Sequence, residues 1–129
     1  MESIADEEIL YRSVINNPQN YKIIDGTIRV SSSVFSDRTR KISVNRGCLQ
    51  DNDASRTQLR SDDGVLSLIT SDVRLIRVIK SPEAIYTIDV IADPIDNNIA
   101  HALIISHPDF DNDSRFRKLK ESLALIANW

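Results

Sequence analysis

The sequence predicts an α+β fold: a single, mostly antiparallel sheet with an N-terminal and a C-terminal helix. Three observations carry this expectation. Short runs rich in Ile, Val and Leu, whose β-branched members favour strands, recur between clusters of Asp, Asn, Ser and Gly. Apolar residues also repeat at helical spacing near both ends of the chain. No strand-helix-strand alternation of the kind that builds a parallel sheet is present.

Taken in order, Ser3 is placed to cap a first helix reaching to about Asn16. Asp6, Glu7 and Glu8 would then sit in turns where the helix dipole favours negative charge, with Ile4, Ile9, Leu10, Val14 and Ile15 as the apolar face. Asn17 precedes Pro18 and therefore avoids helical angles, which ends the helix there. Residues 21–24 and 27–30 read as two strands joined at Asp25-Gly26, a pair that tolerates the positive φ a tight hairpin turn requires. Ile42 and Val44 alternate with Ser43 and Asn45, the period of a half-buried strand. The polar stretch 50–64 reads as a surface loop, with one helical turn capped by Asp53. Residues 65–70 and 73–79 are apolar and β-branched, and strand and helix compete there. Residues 85–91 and 99–105 read as strands joined by the turn-forming segment 92–98. Phe116, Leu119, Leu123 and Ile126 lie three and four apart, which predicts a closing helix with Ser114 as its cap and Trp129 packed beyond it.

At 129 residues the chain has the size of a single domain, and no Gly/Ser-rich or Pro-rich linker or repeat divides it. Its 41% hydrophobic and 27% charged residues match globular usage, and aromatics at 5% leave Ile, Val and Leu to build the core. A net charge of −3 disfavours general nucleic-acid binding, and the cluster Arg38, Arg40, Lys41 and Arg46 fits a solvated strand edge. The single Cys48 can form no internal disulfide, and the acidic N-terminus lacks the features of a signal peptide, so a cytoplasmic location is expected. No apolar run is long enough for a membrane span, and no cofactor motif is present.

His101 is the first candidate for chemistry, because a histidine inside the strand-like run 97–105 and beside an amide-rich loop can serve as acid or base. The competing reading is a structural histidine whose ring nitrogens bond the backbone and lock that loop. His107 lies six residues on, about 20 Å away along an extended strand and too far to share a metal ion with His101. Asp109, Asp111 and Asp113 lack the glycine of an EF-hand loop and fit the start of a helix better. Ser31, Ser32 and Ser33 lack the glycines of a P-loop or a hydrolase elbow. Cys48 follows Arg46 closely enough for the guanidinium to lower its pKa, against the commoner role of a small buried filler.

Several of these residues together resemble a family of small, mostly bacterial proteins of uncharacterised function. The likeness lies in Leu10-Tyr11-Arg12, in residues 29–35 with Asp37, in Ser43-Val44-Asn45-Arg46, in Asp93-Pro94 followed by Asn98, Ala100, His101, Ala102 and Leu103, and in Asn128-Trp129. The chain departs from that pattern at Asn45, where the family carries Asp, and at Ile99, where it carries proline. The resemblance implies that Arg29, Ser31, Ser32, Phe35, Arg46 and His101 gather in space, with Arg29, Ser31, Ser32, Arg46 and Asn98 as binding residues around His101.

Two functions compete on this reading. The first is an accessory or interaction module with a protein partner or a second copy, since no complete catalytic constellation stands out. The alternative is an enzyme acting on a nucleotide or other phosphorylated substrate, with His101 as acid or base and Arg29, Arg46 and the serines as anion donors. A weaker third option is an ADP-ribosyltransferase-like domain, suggested by Leu10-Tyr11-Arg12 and the downstream serines, but no glutamate follows at a suitable strand end.

Overall fold

Residues 9–14, expected in a first helix, form a strand at the interior of the sheet. The computed structural model describes residues 4–15, 17–36, 39–50, 53–58, 64–81 and 84–128. The expected roles of Ser3, Asp37, Arg38 and Trp129 fall outside them. In chain order the elements are β1 (Ile9–Val14), β2 (Tyr21–Ile24), β3 (Thr27–Val30), β4 (Ile42–Arg46), β5 (Gly64–Ile69), α1 (Thr70–Arg74), β6 (Arg77–Ser81), β7 (Ala84–Ala92), β8 (His101–His107) and α2 (Asp113–Ile126). Six strands form one antiparallel sheet in the order β5-β1-β4-β8-β7-β6, and β2 and β3 form a separate hairpin.

The predicted N-terminal helix is therefore corrected to a strand. Leu10 and Val14 fit a helical face, but as i and i+4 they also lie on one face of a strand. The partner decides: every residue from Ile9 to Val14 is matched with one from Ile69 back to Gly64, and Leu10 and Val14 become fully buried. Long-range pairing outweighs local helix propensity here. The acidic run precedes the strand as a turn, in which the Glu8 N–H donates to the Ala5 carbonyl.

The sheet must curl. A flat sheet of six strands would hold its edges about 24 Å apart at ~4.8 Å per step. The edge strands β5 and β6 are nevertheless joined by α1 and just two more residues, Leu75 and Ile76. A helical turn of this length rises only about 7.5 Å. The curl brings the two edges toward each other, and α2 lies across the gap. The backbone of Asn128, just beyond α2, pairs with Ser67 of β5, and the Arg115 guanidinium of α2 donates to the Ile79 carbonyl of β6 at 2.7 Å. Both sheet edges thus gain partners, which blunts edge-to-edge aggregation.

Inside the curl, Leu10, Val44, Leu68, Tyr86 and Ile104 from the strands meet Phe116, Leu119 and Leu123 from α2 and Phe35 from a 3-10 turn at Ser32–Phe35. The cap of α2 is Asn112, whose Oδ1 accepts the Arg115 N–H at 2.9 Å; Ser114, the expected cap, instead bonds Asn112. The β2–β3 turn matches the sequence reading, with φ +51° at Asp25 and +77° at Gly26. The competition over residues 73–79 resolves into both structures, α1 and then β6. Among the described residues no helix is long and apolar enough to cross a membrane.

Candidate functional site

β4 alternates cleanly, with Ile42, Val44 and Arg46 buried and Ser43 and Asn45 half-buried. Opposite it on β8, Asn45 faces His101 and Ser43 faces Leu103, so His101 shares the outer face of the sheet with both polar residues. The imidazole reaches diagonally, and its Nε2 lies 3.1 Å from the Ser43 Oγ. Its Nδ1 lies 2.8 Å from the Asp93 carbonyl oxygen and 3.1 Å from the Asp93 carboxylate.

These contacts select a tautomer. Among the described residues Nδ1 meets only oxygen acceptors from Asp93, so it carries the proton and donates it. In the neutral ring Nε2 is then an acceptor, and the Ser43 hydroxyl donates to it. This is the arrangement of a general base set against a hydroxyl nucleophile, with a carboxylate behind the base. The His101 side chain retains 15% of its exposure and that of Asp93 46%, so solvent reaches the relay. A structural histidine held by backbone at both nitrogens would look different, because here one nitrogen is spent on a side-chain hydroxyl.

The loop that presents Asp93 is fastened at several points. The Asp93 N–H donates to the His101 carbonyl, Ile95 and Asn98 exchange backbone bonds, and the Arg46 N–H donates to the Ala100 carbonyl. Asn98 adds its side chain: Nδ2 donates to Asn45 Oδ1 at 2.8 Å, and Oδ1 accepts the Ala100 N–H at 3.0 Å. Thr57, itself held by Gln50, accepts from the Asn45 amide.

Ser43 lines an opening in the sheet. β1 and β4 pair only through Leu10 with Arg46 and Tyr11 with Asn45, and then separate. The resulting notch has a volume of about 240 Å³, with Tyr11, Arg12, Ser43 and Asn45 on its walls. Arg12 bridges the parting strands, donating to the carbonyls of Ser43 at 2.6 Å and Val34 at 2.8 Å. Asn45, Thr57 and Asn98 separate the notch from a second cleft of about 550 Å³.

The residues expected around His101 are divided. Asn98 is joined to its neighbourhood through Asn45. Arg46 is close along the backbone but points to the inner face, where it forms two 2.9 Å bonds to the Glu8 carboxylate and both side chains are almost fully buried. Arg29 is exposed on the β2–β3 hairpin opposite Lys22. Ser31 caps the 3-10 turn and bonds Ser33, and Ser32 begins that turn. Among the described residues none of these last three has a polar contact with His101.

Burial opposes charge on Glu8, yet the Arg46 bonds, a Cys48 contact and the charges of Arg46 and Arg74 together hold its carboxyl below the ordinary glutamate value. Cys48 behaves the other way. Although the residue is exposed overall, desolvation of the thiol and its hydrogen bond to Glu8 push it above the usual thiol value, outweighing the Arg46 charge expected to lower it. Among the described residues no three His, Cys, Asp or Glu side chains converge on a metal position.

Ser43 and Asp93 had no site role in the sequence, and Arg12 stood out only as part of the Leu10-Tyr11-Arg12 motif. Ser43 belonged to an alternating strand and Asp93 to a turn-forming segment. A usable signal was present: the chain order Ser43, Asp93, His101 is one of the orders in which such triads occur. Comparison of the chain with family models, with curated proteins and with solved structures gave no match, so the chemistry of the site is argued from its own residues.

Proposed function

We propose that this chain is a hydrolase that transfers acyl groups through Ser43, with His101 as acid and base and Asp93 holding the imidazole. The observation that carries the reading is the pair of 3.1 Å contacts that line up Ser43 Oγ, His101 Nε2, His101 Nδ1 and the Asp93 carboxylate on the wall of a notch. The Ser43 oxygen attacks a carbonyl carbon while its proton passes to Nε2. Collapse of the tetrahedral intermediate breaks the bond to the leaving group, which takes that proton. Water then attacks the acyl-enzyme, giving its proton to Nε2, and the acid product departs as Ser43 Oγ takes the proton back. Arg12 lines the notch with a permanent positive charge, the electrostatic complement of the oxyanion. A phosphorylated substrate is less well supported, since Arg46 is committed to Glu8 and Arg29 lies on the hairpin.

The test is covalent labelling of the full chain by an alkyl fluorophosphonate, followed by peptide mass spectrometry. An adduct on Ser43 that disappears in Ser43→Ala and in a folded His101→Ala variant is expected. Labelling confined to other residues, or none, overturns the reading.

The interaction-module reading is favoured by a separate observation. Ile79 and Ile85 face each other across β6 and β7 and are 66% and 52% exposed, and Leu125 of α2, at 78%, shares a groove with Ile79. The rim carries Arg77 and Lys118 beside Glu121, so a second copy related by a two-fold axis would set cation against anion. Sedimentation analysis is expected to give a dimer that Leu125→Glu converts to monomer. A wild-type chain that stays monomeric at high concentration removes this reading.

A further inference from the structure

The second cleft has no task in the acyl-transfer step, yet it adjoins the notch that holds Ser43. The two share Asn45, Thr57 and Asn98 as a common wall. Its volume of about 550 Å³ lies in the range of small-ligand sites, ~300–1,000 Å³. The chemistry of its lining is distinctive. Gln50, Gln58, Asn97 and Asn98 supply carboxamides, each of which both donates and accepts hydrogen bonds. Arg56 is the one charged side chain among the described lining residues, and Asp53 lies 3.8 Å from it. Ile95 and Ile99, 46% and 69% exposed, add apolar surface at the rim.

Carboxamides with little net charge do not select phosphates or carboxylates, which call for cations. They match groups that offer a donor and an acceptor side by side, as every peptide unit does. The exposed isoleucines suit the side chains that alternate along an extended peptide. An acyl-transfer step also requires an acyl carbon, which a peptide supplies at its carbonyl. Some carboxamides are already engaged: Asn98 bonds Asn45 and Ala100, and Gln50 bonds Thr57. Asn97 is exposed, and among the described residues its side chain has no hydrogen-bond partner, so its amide is available.

We infer that the carboxamide cleft binds an uncharged peptide segment whose acyl carbon is presented across the Asn45–Asn98 wall to Ser43. The inference rests on the acyl-transfer reading and adds the substrate class. It accounts for a larger, carboxamide-rich cleft lying beside the notch that holds Ser43.

The experiment compares three probes on the full chain: an N-acetyl-trialanine p-nitrophenyl ester, p-nitrophenyl acetate and an O-acetylated glucose oligomer. The tripeptide ester is expected to exceed the acetate in kcat/KM by about tenfold or more, as contacts beyond the reacting bond are added. Asn97→Ala and Ile99→Asp are each expected to raise KM for the tripeptide ester more than for the acetate. Equal rates for tripeptide and acetate, or preference for the acetylated sugar, overturn the inference while Ser43 labelling leaves the hydrolase reading standing. A binding measurement independent of turnover uses Ser43→Ala and N-acetyl-trialanine amide, with NMR shifts expected at the Asn97 and Gln58 side-chain amides. Absence of those shifts rejects the peptide cleft, and failure of fluorophosphonate to label Ser43 rejects the parent reading separately.

Discussion

Two polar networks lie back to back on β4, one on each face. On the inner face Arg46 and Glu8 form a bidentate pair sealed from water, with side chains only 4% and 6% exposed. On the outer face, one residue earlier along the strand, Asn45 sits opposite His101, whose imidazole lies between Ser43 and Asp93 where solvent reaches it. Both couple a carboxylate to a nitrogen base, and their environments assign them different work. A buried pair excludes substrate and holds strands in place, whereas a half-open relay can exchange protons with a bound molecule. The lesson is that accessibility, more than residue type, separates a structural ion pair from a candidate catalytic one.

The comparison is broken most directly by Ser43→Ala. Hydrolysis of an activated ester is expected to fall by about 10³-fold or more, with stability changed by no more than ~1 kcal/mol. Steady-state rates and urea unfolding on the same samples decide it, and a variant that unfolds while retaining rate would reverse the assignment. On the inner face the expectation is inverted: Arg46→Ala leaves the Glu8 carboxylate buried without its main partner and costs about 3–5 kcal/mol. Replacing the pair together, as Glu8→Leu with Arg46→Met, should recover much of that loss. A single variant with unchanged urea midpoint would show the pair to be dispensable.

Asp93→Asn sharpens the outer half of the contrast. The Asp93 backbone carbonyl still accepts the Nδ1 proton, so the imidazole keeps its tautomer. Activity is expected to drop about tenfold to a hundredfold, short of the ~10⁴-fold seen where a carboxylate alone sets that tautomer. Retention of full activity would remove the carboxylate from the mechanism.

Acid should weaken the inner pair. The Glu8 carboxyl is lowered in the fold, so its contribution is complete above the ordinary glutamate value of about 4.3 and is lost as pH falls through the lower folded value. Asp89 adds in the same direction: burial opposes its charge, but bonds from Arg74 and the Val90 N–H outweigh it. Urea midpoints between pH 6 and pH 3 are expected to decline more steeply for wild type than for Glu8→Gln; parallel curves would contradict this. The smallest effect is expected at Tyr86→Phe, which removes a 2.9 Å bond to an exposed carboxylate of Asp111 that water can replace. About 0.5–1 kcal/mol is predicted from thermal unfolding, and a loss near that of Arg46→Ala would mean that exposure does not govern the cost.

The parts of the fold that could be read in advance are those whose cause is local. Asp25-Gly26 forms its hairpin because two adjacent residues adopt positive φ, and α2 forms because Phe116, Leu119 and Leu123 share one face. β4 was visible for a similar reason, as its alternation needs only five residues. β1 was not, because Leu10 and Val14 satisfy helical and strand spacing equally. His101 could be singled out from its place beside an amide-rich loop, but Ser43 lies 58 positions away and meets it only across paired strands.

The amino-acid order by itself determined where the chain turns, which short segments prefer to be extended, and that a closing helix would carry one apolar face, since these depend on neighbours within a few residues. Tertiary structure decided that the first segment is a strand, that Arg46 faces inward and is sealed, and that Ser43, Asp93 and His101 meet on the outside. The physical reason is the two-residue period of a strand: strand register sends adjacent residues to opposite faces, and register is settled by partners far away in the chain.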